Sequence, residues 1–190
     1  MNPILLKGRK VVGDEGYFLG EFSDLHVDFK VGKATAFYVT LSDEAATELG
    51  FKKPFLRRVT VCLPTELIKA VGDVITLDAP IRCLEDLAER EMQVETDRVE
   101  GKKVVNEKGE AFGKVDGLDV NVDDWSLSGF EVALNAQAAS ELGFKSPVLS
   151  KVVVIIPRSA VGSIENFVTL DKAVESLKSL VECIQSCQKV

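Results

Sequence analysis

Displaced by 93 residues, the chain overlays on itself. Residues 8–87 align with residues 101–180 without a gap, and 28 of the 80 paired positions are identical. Self-similarity at one long period means a single folded unit encoded twice. Any architecture assigned to this chain must therefore fit about 80 residues and then be built again, which sets the units at 1–90 and 99–190 with a charged connector at 91–98. A unit of that size buries only a little over 60% of its unfolded surface and gains from packing on a neighbour.

The shared positions read as geometry. Gly16 and Gly20 recur as Gly109 and Gly113, Gly50 as Gly143, Pro54 as Pro147, and Pro64 as Pro157. Gly16 and Gly109 follow Asp14-Glu15 and Glu107-Lys108, where a tight hairpin turn wants positive φ. A phosphate-cradling loop would have to run into a helix N-terminus, and here the flanks are strand-like. Period-two patterning and β-branched or aromatic residues predict strands at 10–12, 19–29 and 33–41 in meander order, with further strands at 59–63 and 74–77. Their partners include 152–156, apolar on both faces and so expected to be buried on both, and 167–170. Ser42 offers an N-cap, Asp43 and Glu44 suit the positive end of a helix dipole, and Gly50 closes a two-turn helix over 42–49. The same helix recurs over 135–142. Each copy then ends in an amphipathic segment, 80–91 and 172–188. In the second, Val174, Leu177, Val181 and Ile184 keep helical spacing, with Leu180 and Cys187 widening the stripe. That stripe either covers an open end of its own barrel or pairs with a second chain.

Composition narrows function. With 46% apolar residues, 14 Gly and 6 Pro, the chain builds an ordinary core. Thirty acidic side chains against 23 basic ones give a net charge of −7, which disfavours nucleic acid as a partner. The longest apolar run, 152–156, falls far short of the roughly 20 residues that cross a bilayer. The first ten residues place a short apolar stretch before basic ones, the reverse of a signal peptide's order, so a cytoplasmic location without membrane insertion is expected. Cys62, Cys83, Cys183 and Cys187 form no C-x-x-C pair, and the one histidine, His26, is remote from Cys183 and Cys187. The cysteines read as small hydrophobes, and no metal or cofactor site is expected. His26 aligns with Asp119 at an outward strand position, Asp123-Asp124 suits a turn, and neither G-x-S-x-G, H-E-x-x-H nor a Walker loop occurs. No catalytic residue is assigned.

Where the copies differ, surfaces are expected to specialise. Trp125, the sole tryptophan, falls in a turn opposite Gly32, either folded back on its own barrel or exposed as a partner anchor. The first copy instead carries Phe55 and the basic pair Arg57-Arg58, against Val148 and Ser150-Lys151. These four residues join Leu177, Val181 and Ile184 as candidate partner-binding positions.

The pattern V-V-x-x-x-G-x-x-x-G-x-x-x-x-L-x-V at 11–27 and 104–120, completed by LPTELIKAVGDVITLD at 63–78, resembles the PRC-barrel family, named after the photosynthetic reaction centre H subunit. In the second copy Ile164-Glu165-Asn166-Phe167 replaces Val-Gly-Asp-Val. The resemblance spans about nine tenths of the chain and implies a mainly β fold with short helices: two tandem small β-barrels related by pseudo-symmetry, each followed by a helix. Its motifs are structural and specify fold more than chemistry. The family's members are interaction modules, and a chain made of two such barrels is similar to the archaeal tandem PRC-barrel proteins of the Cdp type. Those work with SepF and FtsZ. The resemblance thus implies a non-enzymatic adaptor of FtsZ-based cell division, a homodimer or heterodimer with a paralogous PRC-barrel protein, linked to a SepF-type anchor and recruited to the mid-cell ring. Two other classes stay open: a ribosome-assembly factor of the RimM type, and an enzyme or ligand carrier. The second needs an unfilled barrel interior, against which the many inward Val, Leu and Phe argue.

Overall fold

The structure, a computed structural model, describes residues 6–51, 58–84, 99–145 and 151–185. Among the described residues strand outweighs helix, 48% to 17%, in two sheets, one of them curled into a half-barrel. The chain divides into two compact units: Pro3–Asp97 together with Val122–Ser126, and Arg98–Asn121 together with Leu127–Val190.

The first unit opens with β1 (Lys10–Val12), β2 (Phe18–Asp28) and β3 (Lys33–Leu41), continues through α1 (Asp43–Glu48) and β4 (Thr60–Pro64), and closes with β5 (Ile68–Val71) and β6 (Val74–Leu77). Its sheet runs β4-β3-β2-β1-β6-β5, with β1 and β6 parallel and the other pairs antiparallel. The second unit contains β7 (Lys103–Val105), β8 (Ala111–Val120), β9 (Leu127–Leu134), α2 (Ala136–Glu141), β10 (Val153–Pro157), β11 (Val161–Ile164) and β12 (Val168–Leu170). Then come α3 (Val174–Leu177) and β13 (Glu182–Gln185). The order β10-β9-β8-β7-β12-β11 repeats that of the first sheet, and β13 adds a seventh strand on the outer side of β10.

The shared residues explain the shared order. Gly16 and Gly109 take φ of 76° and 78° in the hairpins joining β1 to β2 and β7 to β8. Gly20 and Gly113 serve a different need, close approach: a Cβ there would run into the backbone carbonyl of Thr40 or Ala133 on the neighbouring strand. Ser42 Oγ accepts from the Ala45 N–H at 3.1 Å, and Asn135 Oδ1 accepts from the Ala138 N–H at 2.7 Å, so both helices carry the expected side-chain cap. Both end alike. The Gly50 and Phe51 N–H groups bond back to Thr47 and Ala46, and those of Gly143 and Phe144 to Ser140 and Ala139, the paired bonds of a Schellman motif.

The strands expected at 10–12, 19–29, 33–41, 59–63, 74–77, 152–156 and 167–170 are present within a residue or two. The edge strands β5 and β11 escaped the sequence reading, because short strands with exposed middles lack a period-two signal.

The C-terminal segment differs from its expectation. Instead of one amphipathic helix over 172–188, the single turn α3 buries Leu177 and the chain then extends into β13. Residues 181–185 alternate, Val181 and Cys183 half-buried against exposed Glu182 and Ile184. An open strand edge with unpaired backbone donors and acceptors outweighs the weak helical periodicity of so short a segment. The helix expected over 80–91 begins as a 3₁₀ turn, Ile81–Cys83, with Leu84 buried behind it, and residues 85–98 lie outside the described residues. Leu84 and Leu177 are aligned, so both copies bury the same leucine by different turns. A second correction concerns cysteine: Cys183 is disulfide-bonded, whereas Cys62 and Cys83 are in no disulfide. Cys187 lies outside the described residues.

Candidate functional site

Each unit carries a groove on the outer surface of its central strands, and the repeat makes the two grooves equivalent. In the first, Gly20 and Leu41 sit beneath Phe18 and Glu21, with Ser42 and Arg58 at the side, around about 290 Å³ of space. In the second, the aligned residues Gly113 and Leu134 sit beneath Ala111 and Lys114, with Asn135 and Lys151 at the side, around about 600 Å³. The glycines explain why a groove exists at all. They let β2 and β3, or β8 and β9, approach so closely that no side chain rises between them.

Two substitutions account for the difference. Phe18, 40% exposed, lies in the first groove with Lys10 Nζ 6.0 Å from its ring centroid, a cation–π arrangement. Ala111 replaces it and removes the ring. At the next outward position Glu21, which reaches Arg58 at 3.9 Å, becomes Lys114. Lys151, aligned with Arg58, turns to Asp116 at 3.7 Å. Both ion pairs are exposed and add little to stability. They do orient the cations, and at the aligned positions 21 and 114 one groove is lined by a carboxylate and the other by an ammonium.

The candidates chosen from sequence are dispersed. Arg58 borders the first groove, while Phe55 and Arg57 lie outside the described residues. Leu177 is fully buried, Val181 half-buried and Ile184 45% exposed, so the apolar stripe is split between the interior of α3 and the outer side of β13. Trp125 is half-buried at φ 61°, the left-handed region that its aligned partner Gly32 occupies at φ 72°. It lies in the segment assigned to the first unit, where its carbonyl accepts from the Ala34 N–H at 2.8 Å. The local turn is tied by Asp124, whose Oδ1 accepts from the Ser126 N–H and hydroxyl at 2.9 and 2.7 Å. Those bonds, the hydroxyl first, hold the Asp124 carboxyl below the usual carboxylate range. Asp28 does the same for the equivalent turn of the first unit, lowered by the backbone N–H groups of Val31 and Lys30. His26 is half-buried on β2 opposite Ala36.

Two polar features went unseen in sequence. Tyr17 has its phenol raised, by burial first and then by its hydrogen bond to Glu48 at the end of α1. Glu131 on β9 is 6% exposed where the first copy has Tyr38. The grooves themselves were detectable: aligning the copies at 18/111 and 21/114 exposes the ring lost and the charge reversed. Among the described residues no cluster of three or more His, Cys, Asp or Glu is placed to hold a metal ion, and no helix is long and apolar enough to cross a membrane.

Comparison of the sequence with protein-family models gives no match, and comparison with curated proteins gives none.

Proposed function

We propose that the chain is a non-catalytic adaptor made of two PRC-type barrels, acting in an archaeal FtsZ-based division assembly. It self-associates or pairs with a paralogous PRC-barrel protein, and it links to a SepF-type anchor from the cytoplasm at mid-cell. The observation that carries this reading is duplication with divergence. One strand order stands twice on the same glycines, caps and core positions, while the equivalent grooves differ in volume and in the sign of the charge at the aligned positions 21 and 114. Equal frameworks with unequal surfaces suit a protein that recognises different partners with related modules. The glycine and strand pattern shared with PRC barrels supplies the family, and the curl of one sheet is in keeping with it.

A fluorescent fusion followed through division in an archaeal host tests the reading. Recruitment to the mid-cell ring, with capture of a SepF-type protein by the tagged chain, is the expected result. A diffuse signal throughout division overturns it, and co-sedimentation with the small ribosomal subunit would favour a RimM-type role instead. Self-association has its own measurement: light scattering that finds only a 20.7 kDa particle rules it out.

A further inference from the structure

The first unit shows what the second unit's groove is shaped to receive. Phe18 occupies the first groove beneath Lys10; the second keeps the lysine, as Lys103, and lacks the ring. What remains is an apolar lining of Ala111, Ala133 and Leu134 with Lys103 at its border. Around it stand Lys103, Lys114 and Lys151 against the carboxylates of Glu100 and Asp116. Asp116 is engaged by Lys151 at 3.7 Å, which leaves Lys103 and Lys114 against the single carboxylate of Glu100 and an excess of one positive charge. In a chain of net charge −7 such a site is local and of opposite sign to its surroundings.

We propose that this groove docks an acidic peptide segment of a partner protein, with an aromatic side chain seated where the Phe18 ring sits in the first unit. The ring would lie on the apolar lining beside Lys103, gaining burial and a cation–π contact, and flanking carboxylates would meet Lys114 and Lys103. The first unit is the built-in comparison: its own Phe18 fills the equivalent place, and Glu21 puts a like charge where the peptide's carboxylates would come. It is closed to this ligand by both devices. The proposal deepens the adaptor reading by giving one of its surfaces a partner chemistry.

Fluorescence anisotropy on the full chain tests it, with a labelled peptide Glu-Asp-Glu-Phe-Asp-Glu-Asp, the same peptide with Ala for Phe, and a neutral form with Gln and Asn for the acids. The Phe-containing acidic peptide should bind about tenfold tighter than either control. Ala111→Phe, which installs the first unit's residue, should weaken it about tenfold, and so should Lys114→Glu, an exposed substitution, both with melting temperatures unchanged. Equal affinity for the three peptides overturns the proposal, as does undiminished binding by both variants, or tighter binding of a single-stranded oligonucleotide of equal charge. Failure here with mid-cell recruitment intact removes the groove and leaves the adaptor reading standing. Peptide binding that passes every arm while recruitment fails does the reverse.

Discussion

Strands β4 and β10 are one strand encoded twice, and their outer edges have different fates. Beside β10 lies β13, paired through Val153–Gln185, Val154–Cys183 and Ile155–Glu182; among the described residues nothing pairs with the outer side of β4. The sequence repeat ends at Leu87 and Leu180, so β13 comes from beyond it. A duplicated core therefore fixes the sheet only as far as the repeat extends. The edge is decided by whatever sequence follows it.

The interiors supply a sharper comparison, and the largest expected effects. Phe37 and Phe130 are aligned and both fully buried, and Phe37 stacks on Phe22 at 6.3 Å between centroids with planes 7° apart. Val115 takes that place in the second unit. Phe37→Ala and Phe130→Ala should each cost about 4 kcal/mol, with about 1 kcal/mol of the Phe37 loss coming from its ring pair with Phe22. Calorimetry of each variant, resolving the unfolding of each unit, measures these losses. In a Phe22→Leu background Phe37→Ala should cost about 1 kcal/mol less than in the wild type, and equal losses in the two backgrounds would mean that the stacked pair adds nothing to the first unit.

Next in size are the aligned leucines that follow the last shared strand. Leu84→Ala and Leu177→Ala should each cost about 3 kcal/mol, since both side chains are fully buried. Ile184→Glu, on the outer side of β13, should stay within about 0.5 kcal/mol. Thermal melts separate these outcomes. A severe loss from Ile184→Glu would place that side chain under cover, as the single-helix reading of 172–188 requires, and would break the contrast between α3 and β13.

That segment shows where sequence reasoning stops. Hairpin glycines, helix caps and central strands were legible because each depends on a few neighbouring residues: Gly16, Ser42 and Asn135 fix their own geometry locally. The path after Leu177 was not, because it depends on an edge of β10 that is distant in sequence and satisfied by backbone groups any residue carries. The groove lay between. Its residues stand in the repeat alignment, but Trp125 and the Arg57-Arg58 pair are more conspicuous there than two ordinary substitutions on β2 and β8. Ala111 carries meaning only when read against Phe18, and Lys114 only against Glu21.

The smallest expected effect separates the aligned positions 28 and 121 by pH. In the first unit Asp28 Oδ1 accepts from the Lys30 and Val31 N–H groups at 2.8 and 3.1 Å, and the aligned residue in the second is Asn121, which does not titrate. Hydrogen bonds to the ionised form depress the Asp28 carboxyl below its ordinary value of 3.8. Its contribution to stability is therefore complete above that value and is lost as pH falls through the lower folded-state one. Asp28→Asn keeps an oxygen acceptor for the same two N–H groups and removes the charge, making the first turn like the second at this position. The melting temperature of the first unit should be nearly unchanged at neutral pH and should fall less steeply than wild type below about pH 4. Parallel melts of wild type and variant across the acid range measure this; an identical acid slope in the two proteins would show that Asp28 stabilises its turn as a neutral acceptor, with no share in the first unit's pH response.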